Sequence, residues 1–219
     1  MSVEAYREVA LRAALDPTHP RHLLPKVPEG ARLILEIGCH AGHIIEALRL
    51  PQDCQAVGCD IDLAALKLAH RHVPGAQFSA ARAEALPYKG SFFDMLFSRG
   101  VITVLDIPQA LSEFNRVLRV GGRLWISLYR WSDCWVILRG SLRRHPVKAL
   151  MFGAYTIVNS ALFHYSGVLA RYPLNKSRMM SFQTESRMRQ ALQKAGFGEI
   201  VFTQGSYFLV EANKLHSVQ

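Results

Sequence analysis

The sequence predicts one doubly wound α/β domain with a seven-stranded, mostly parallel sheet. The first observation is that apolar runs of strand length alternate with amphipathic stretches of helix length between residues 32 and 129, as βαβ units on a parallel sheet do. The second is that two apolar runs near the end, separated by Gln204-Gly205, have the pattern of an antiparallel β-hairpin. The length of 219 residues suits a single domain of this class.

Each predicted strand is a short apolar run bounded by turn-forming residues. The seven strands are placed at 33–37, 55–59, 77–80, 93–98, 123–129, 199–203 and 206–212. Helices are predicted at 3–15, 42–49, 62–72, 108–119 and 185–195. Asp62 and Thr184 are suited to cap the third and the last of these helices, and the pair Gly121-Gly122 is predicted to end the fourth.

The alternation of strands and helices stops at residue 131, and 131–178 is predicted to be an inserted helical lid within a single domain covering 1–219. From Arg130 to Arg178 the chain has eight basic residues against Asp133 alone, so this part carries +7 of the net charge of +9. Such a basic patch is suited to an anionic membrane surface or an acidic substrate, and a solvated basic face is the alternative interpretation.

Residues 149–170 form the longest apolar stretch of the chain. They contain no charged residue apart from His164, and their length is close to the ~20 residues that a membrane-spanning helix needs. Polar residues such as Thr156 and Asn159 interrupt the stretch, and its apolar residues recur at helical spacing. We therefore expect an amphipathic helix here rather than a membrane span.

Several classes of protein are disfavoured by what the sequence lacks. The first residues carry charges with no apolar run behind them, and the four cysteines form no CxxC pair. We therefore expect a cytoplasmic protein with reduced thiols rather than a secreted one, and a peripheral membrane contact through 131–178 stays open. Nucleic acid is not an expected partner, because no helix-turn-helix or aromatic stacking platform is recognisable. The sequence predicts no oligomeric state.

A glycine-rich turn joins the first predicted strand to the following helix. It reads Glu36-x-Gly38-x-x-x-Gly42, where glycine lets the backbone approach a ligand and the helix N-terminus offers unpaired N–H groups. Asp60 ends the second strand about twenty residues later, where a carboxylate can accept hydrogen bonds from both hydroxyls of a ribose. Together these features predict a cofactor that contains adenosine. The spacing differs from the G-x-G-x-x-G loop of NAD enzymes, which disfavours an NAD-dependent oxidoreductase.

These motifs and their order resemble the class I S-adenosylmethionine-dependent methyltransferases, especially the branch of ubiquinone and menaquinone biosynthesis. The first motif of that family, an acidic residue followed by G-x-G-x-G, is matched by Glu36, Gly38 and Gly42, with His40 at the middle glycine. The family's D-A-x-x-L-P segment is matched by residues 82–87, with Arg82 in place of the acid. The resemblance covers about residues 30–129 and resumes at about 181–214.

The resemblance implies a Rossmann-like enzyme that transfers a methyl group from S-adenosylmethionine to a small, apolar or lipid-like acceptor at O, C or N. S-adenosylhomocysteine would be the second product. Ser98 and Arg99 join the expected site because they end the fourth strand, where a doubly wound sheet opens its crevice. The expected cofactor-binding residues are Glu36, Gly38, Cys39, His40, Gly42, Asp60, Ile61, Arg82, Ala83, Glu84, Ser98 and Arg99.

Individual roles follow from the matched positions. The resemblance implies that Glu36 orders the loop and the methionine amino group, and that Ile61 packs on the adenine. Arg82 cannot accept a hydrogen bond from the adenine amine, so Glu84 or backbone groups near Ala83 are expected to take that role. No metal is predicted at Cys39, His40 and His43, because a structural zinc needs four converging ligands.

The resemblance also implies that 131–178 covers the substrate, with its apolar side chains enclosing the acceptor and its arginines facing an anionic group or membrane. A general base is required only if the acceptor must lose a proton early. His145, His164 and Tyr165 are the candidates for that base, and packed or solvated roles are the alternative for each, so no catalytic residue is assigned.

Two other functions stay open at this point. Because His40 and Arg82 depart from the family pattern, the chain could be an S-adenosylmethionine-binding regulatory or partner-binding protein without catalysis. Methylation of nucleic acid is disfavoured, because the sequence lacks the Asn/Asp-Pro-Pro-aromatic tetrapeptide of amino-methylating enzymes.

Overall fold

The computed structural model describes residues 2–130, 146–175 and 179–215 of the chain. Its strands are β1 (Leu33–Ile37), β2 (Gln55–Asp60), β3 (Gln77–Ala80), β4 (Phe93–Arg99), β5 (Leu118–Leu128), β6 (Phe197–Gln204) and β7 (Phe208–Lys214). They form one sheet in the order β3-β2-β1-β4-β5-β7-β6. Strands β1 to β5 are parallel, and β7 lies antiparallel between β5 and β6. The predicted seven-stranded, mostly parallel sheet with a C-terminal hairpin is confirmed.

The helices match the predicted periodic segments closely. They are α1 (Val3–Leu15), α2 (His43–Leu48), α3 (Leu63–His72), α4 (Ile107–Val117), α5 (Pro146–Ser166) and α6 (Glu185–Lys194), with a short 3₁₀ turn at Ile102–Val104. The predicted caps are confirmed: the Asp62 carboxylate accepts from the N–H groups of Ala64 and Ala65, and the Thr184 hydroxyl accepts from that of Arg187.

The prediction that Gly121-Gly122 ends the fourth helix is wrong. Helix α4 ends at Val117, and the fully buried Leu118 already pairs with Phe93 as the first residue of β5. The glycines lie further on, where the β4–β5 register shifts, and Gly121 has a φ of +73°. The sequence favours a bulge here, because glycine adopts the left-handed conformation that such an irregularity requires.

The central strands are buried on both faces, because alternate side chains enter two hydrophobic cores. Ile34, Met95 and Phe97 lie in a core that also contains residues of α1 and α2. Leu35 and Leu96 lie in a core that also contains residues of α4 and α6. This layering confirms the doubly wound fold.

The sheet places the predicted site at one edge. Strand β1 pairs with β2 on one side and with β4 on the other, so the order of the strands reverses beside β1. In a doubly wound sheet a crevice opens at such a point, at the carboxyl ends of the strands. Across the described ranges, no helix combines the length and apolar content that crossing a bilayer would demand.

Candidate functional site

The turn after β1 is held against β2 by backbone hydrogen bonds. The N–H groups of Gly38 and Cys39 both donate to the carbonyl of Cys59, at 2.7 and 3.2 Å. Gly38 has a φ of +76°, and a Cβ at this position would lie 2.1 Å from Cγ2 of Val101. Only glycine therefore fits, and the turn keeps its backbone at the surface of the cleft.

Asp60 connects the glycine-rich turn to the end of β2. Its Oδ2 accepts from the backbone N–H of His40 at 2.7 Å, and its Oδ1 accepts from that of Asp62 at 3.0 Å. The carboxylate lines the cleft and keeps acceptor capacity on both oxygens, because each can accept more than one hydrogen bond.

Two cavities meet at the carboxyl ends of β1 and β2. The first, here called the N-terminal chamber, has a volume of about 610 Å³ and includes Tyr6 of α1, Glu36, His43 and Arg99 in its lining. The second, called the lid chamber, has a volume of about 410 Å³ and is bordered by Ile61, Phe152 and the segment 82–84. Gly38, Asp60 and Val101 line both chambers, so the two form one divided cleft.

A buried carboxyl group faces the N-terminal chamber. Glu36 is only 2% exposed, and its Oε2 has no hydrogen-bond partner among the described residues. Burial raises the pKa of Glu36 to about 8, although the nearby Arg99 opposes this shift. Without a ligand, most Glu36 carboxyls therefore hold a proton at neutral pH, and a cation placed against the group would favour the carboxylate.

Arg99 brings a positive charge to the same chamber. Its Nη2 donates to the carbonyl of Arg21 at 2.9 Å, whereas its Nη1 is buried and has no partner in the described part of the chain. The chamber thus offers an unpaired carboxyl oxygen on Glu36 and an unpaired guanidinium N–H on Arg99. This pair is complementary to a ligand that carries both an ammonium and a carboxylate.

His40 adopts the left-handed backbone conformation of the glycine that the family pattern has at its place, with a φ of +49°. Its ring packs edge-on against Tyr6, with centroids 4.8 Å apart, and lies 6.4 Å from the ring of His43. Burial, followed by the charge of Arg99, lowers the pKa of His43 to about 4, so this imidazole is neutral at pH 7. The histidines form a packed wall of the N-terminal chamber.

The segment after β3 contains an ion pair that sequence patterns did not predict. Arg82 Nη2 lies 3.3 Å from Glu84 Oε2, and Glu84 Oε1 accepts from the N–H of Asp106 at 3.1 Å. Glu84 is buried, whereas more than half of the Arg82 side chain is exposed. Arg82, Ala83 and Glu84 line the lid chamber together with the exposed Ile61. Arg82 stands at the position where the family has a hydrogen-bond acceptor, and its charge is compensated by Glu84.

Three predicted site residues, Cys39, Gly42 and Ser98, face the protein interior rather than the cleft. Ser98 is fully buried and donates to the carbonyl of Ile37 at 3.2 Å, and Cys39 is also fully buried. A Cβ on Gly42 would meet Phe78 at 3.1 Å, on the side of the protein interior rather than the cleft. Side-chain contact of Ser98 or Cys39 with a ligand in the cleft is therefore not supported, and the backbone N–H groups of Cys39 and Gly42 already donate to the carbonyls of Cys59 and Cys39.

The candidate bases of the lid do not reach the cleft. His164 Nδ1 lies 2.8 Å from the Thr184 hydroxyl that caps α6, and Tyr165 is 84% exposed on the outside of α5. Neither residue lines either chamber. This placement gives no support to a general-base role for either side chain, and His145 lies outside the described residues.

The aliphatic side chains of α5 also differ from their predicted role of enclosing an acceptor. Most of them are exposed, and the residues of this part of the chain that border the cleft are Phe152 of α5 and, directly after the predicted lid, Met179 and Met180. The N-terminal chamber is further lined by Tyr129 and Phe208. Sequence reasoning missed these residues because they come from separate segments, although Tyr129 directly follows β5 at the cleft edge.

Two negative findings delimit the site. Among the residues that the structure describes, no group of three His, Cys, Asp or Glu side chains is arranged to hold a metal ion. A larger cavity of about 970 Å³ lies elsewhere, bordered by Ser112, Arg187 and Lys194, and none of the predicted site residues lines it. Size alone therefore does not identify the functional site in this molecule.

The comparisons with known proteins lead to methyltransferases. The model of the methyltransferase domain matches residues 35–126. The 2-phytyl-1,4-naphtoquinone methyltransferase of Thermosynechococcus vestitus is 33% identical over 187 residues, which cover 80% of this chain and 76% of that protein. The 2-methoxy-6-polyprenyl-1,4-benzoquinol methylase of Danio rerio is 26% identical over 74% of this chain and 49% of its own length.

Among solved structures, an S-adenosylmethionine-dependent methyltransferase of Methanosarcina mazei superimposes with a TM-score of 0.59. The alignment covers 86% of this chain and 94% of that one, at 20% sequence identity. At this level of identity the likeness supports the fold, and the family assignment depends on the sequence relatives.

Proposed function

This chain belongs to the class I S-adenosylmethionine-dependent methyltransferases, and we propose that its acceptor is a lipid-like molecule built on an aromatic ring. The observation that carries the proposal is the divided cleft, in which a charged chamber adjoins a chamber that combines the Arg82–Glu84 ion pair with apolar side chains such as Phe152. The first suits the cofactor's methionine portion, and the second leaves apolar surface for adenine and acceptor.

The residues of the cleft fit S-adenosylmethionine chemically. The methionine portion carries an ammonium and a carboxylate, which we assign to Glu36 and Arg99, whose Oε2 and Nη1 are buried without partners. We assign the ribose hydroxyls to Asp60 and the adenine to Ile61 with the segment 82–84. Since the Glu84 carboxylate already receives Arg82 and the N–H of Asp106, we assign the adenine amine to backbone groups of this segment.

When bound, the cofactor supplies a methyl group activated by a positively charged sulfur. The residues of this chain would hold that group in line with the acceptor and exclude water, and such alignment contributes most of the rate enhancement in a displacement of this kind. Tyr6, His40 and Tyr129 line the chamber around the methionine portion. No base is assigned, because the proton released depends on the acceptor atom.

The acceptor class is supported by the lining of the cleft and by the relatives. Leu23, Leu128 and Phe208 border the N-terminal chamber, and Phe152 and Met179 border the lid chamber. The relatives compared above are named for ring compounds that carry phytyl or polyprenyl chains. Apolar walls with few polar groups are what an isoprenoid-substituted ring requires.

A methylation assay with matched acceptors tests the proposal. The protein is incubated with S-adenosylmethionine and either a reduced naphthoquinone carrying a short isoprenoid chain or a water-soluble catechol without one. We expect S-adenosylhomocysteine and a singly methylated product, detected by mass spectrometry, mainly from the isoprenoid compound.

Asp60→Ala serves as the negative control, since it removes the proposed ribose contact. Turnover of the catechol alone would overturn the acceptor class. Binding of cofactor by calorimetry without turnover of any acceptor would favour the non-catalytic alternative.

A further inference from the structure

Helix α5 exposes an apolar face instead of burying it. Val147 is 70% exposed, Leu150 63% and Val158 67%. The exposed apolar residues lie one, three or four positions apart, which places them on one side of the helix, and they are Val147, Leu150, Met151, Ala154, Ile157, Val158, Leu162 and Tyr165. This set is here called the α5 outer face, and a helix of a globular protein would ordinarily turn such a face toward the core.

The polar residues of the same helix hold the opposite face against the protein. Asn159 Nδ2 donates to the carbonyl of Met180 at 3.0 Å, and its Oδ1 accepts from the N–H of Ala170 at 2.8 Å. The Ser160 hydroxyl accepts from the N–H of Phe182 at 2.8 Å. Rotating the helix to bury its apolar face would break these buried hydrogen bonds, so the orientation is fixed by the polar side.

The sequence on either side of helix α5 carries charge of one sign. The sequence contains no Asp or Glu between Asp133 and Glu185, whereas it has seven Lys or Arg residues in that interval. Lys148 is exposed on the first turn of α5. Within α5, Lys148 is the only Lys, Arg, Asp or Glu residue. An apolar helix face in a stretch of chain whose ionised residues are all cations is complementary to anionic lipid headgroups over an acyl layer.

We propose that the α5 outer face docks onto the surface of an anionic lipid bilayer, with the helix axis parallel to the membrane plane. The 21 residues of α5 extend about 31 Å at the rise of an α-helix. Tyr165 lies at one end of the face, with an apolar ring and a polar hydroxyl suited to the headgroup level.

Docking in this orientation would place the cleft close to the bilayer. Phe152 of α5 lines the lid chamber, one helix thickness from the outer face. A lipid-like acceptor could then reach the cleft without crossing bulk water. This delivery role rests on the proposed function, whereas the docking itself rests only on the exposed face and its charge.

Binding of the full chain to vesicles tests the docking. We expect the protein to float with vesicles of mixed phosphatidylglycerol and phosphatidylcholine, and to stay unbound with pure phosphatidylcholine. Binding should weaken as salt is raised, because headgroup attraction is screened. Val158→Glu and Leu150→Glu should each lower the partition coefficient by about tenfold.

Val120→Glu is the matched control, since Val120 is 56% exposed on β5, away from α5. It should leave vesicle binding unchanged. Equal binding of Val158→Glu and the parent, or no binding to anionic vesicles, would overturn the proposal. A parent dimer that Val158→Glu converts to a monomer would also overturn it, in favour of a second copy as the occupant. Unchanged cofactor affinity in Val158→Glu shows an intact fold and separates this result from failure of the proposed function.

Discussion

At the scale of single residues, Glu36 makes the folding stability of the ligand-free protein depend on pH. Its pKa of about 8 lies above the ordinary 4.5, so the folded state holds a proton that the unfolded state has lost. The stabilisation is complete at pH values below the ordinary pKa and is lost as pH rises to the folded-state value. Buried carboxyl groups with a shifted pKa are frequent at functional sites.

We therefore predict that the ligand-free protein becomes less stable between about pH 6.5 and about pH 8. Below pH 6.5 the lowered pKa of His43 has the opposite effect, because the unfolded state then binds a proton that the folded state does not. Urea unfolding at several pH values measures this. Glu36→Gln keeps the shape of the side chain without a titrating group and should flatten the profile. Saturating cofactor should also flatten it, because an ammonium beside Glu36 favours the carboxylate. An unchanged slope in Glu36→Gln would assign the pH dependence to other groups.

His40 gives a second prediction at this scale. Because His40 has a φ of +49°, His40→Gly removes the strain of a left-handed residue and loses the ring contact with Tyr6. We expect stability to stay within about 1 kcal/mol of the parent and cofactor affinity, measured by calorimetry, to be equal or higher.

Arg49→Gly is the control, since Arg49 has a φ of +46° at the end of α2 and lines neither chamber. Loss of turnover in His40→Gly with cofactor binding intact would mean that the imidazole takes part in the chemistry.

At the scale of elements, helix α5 is held in place by side chains that face inward. Asn159 contacts the backbone of Met180 and Ala170 from the middle of α5. Asn159→Ala should destabilise the segment 179–183, because it leaves buried backbone groups unpaired, at a cost of about 1–3 kcal/mol. Hydrogen exchange measured by mass spectrometry should show faster exchange in that segment.

Ser166→Ala is the matched change within α5, because among the described residues the Ser166 hydroxyl bonds only to the nearby backbone of Leu162 and Val168. It should leave exchange at 179–183 as in the parent. Equal acceleration in both variants would show that the contacts of Asn159 do not fasten the lid.

The elements also show what the sequence could and could not predict. Gly38 and Asp60 were found because strand-end motifs are local, and their spacing is fixed by one βαβ unit. Glu36 and Arg99 meet at the N-terminal chamber although they lie 63 positions apart in sequence, on β1 and β4. No local sequence pattern can therefore show that they come together. The direction of α5 was mispredicted for a related reason. Periodicity identifies an apolar face, but the hydrogen bonds of Asn159 and Ser160 decide which face turns inward.

At the scale of the whole molecule, the cleft couples cofactor binding to global stability. A ligand that binds only the folded state stabilises it by RT ln(1 + [L]/Kd), or about 2.7 kcal/mol at a hundredfold excess over Kd. We expect S-adenosylmethionine and S-adenosylhomocysteine to raise the Tm of the parent.

Asp60→Ala should show a much smaller rise at the same ligand concentration, because Asp60 holds the His40 backbone as well as the proposed ribose contact. Differential scanning calorimetry with adenosine as a weak-binding control measures the effect. Equal shifts for parent and Asp60→Ala would remove Asp60 from the cofactor site.

The position of β7 has a consequence for synthesis of the chain. Although β7 is the last strand in sequence, it lies inside the sheet, between β5 and β6. Until residues 208–214 leave the ribosome, β5 presents a free edge with unpaired backbone groups, and such edges recruit other strands. A premature stop before residue 208 should therefore yield aggregates rather than a smaller folded enzyme. For the same reason, we expect chaperones to bind a nascent chain that pauses at this point.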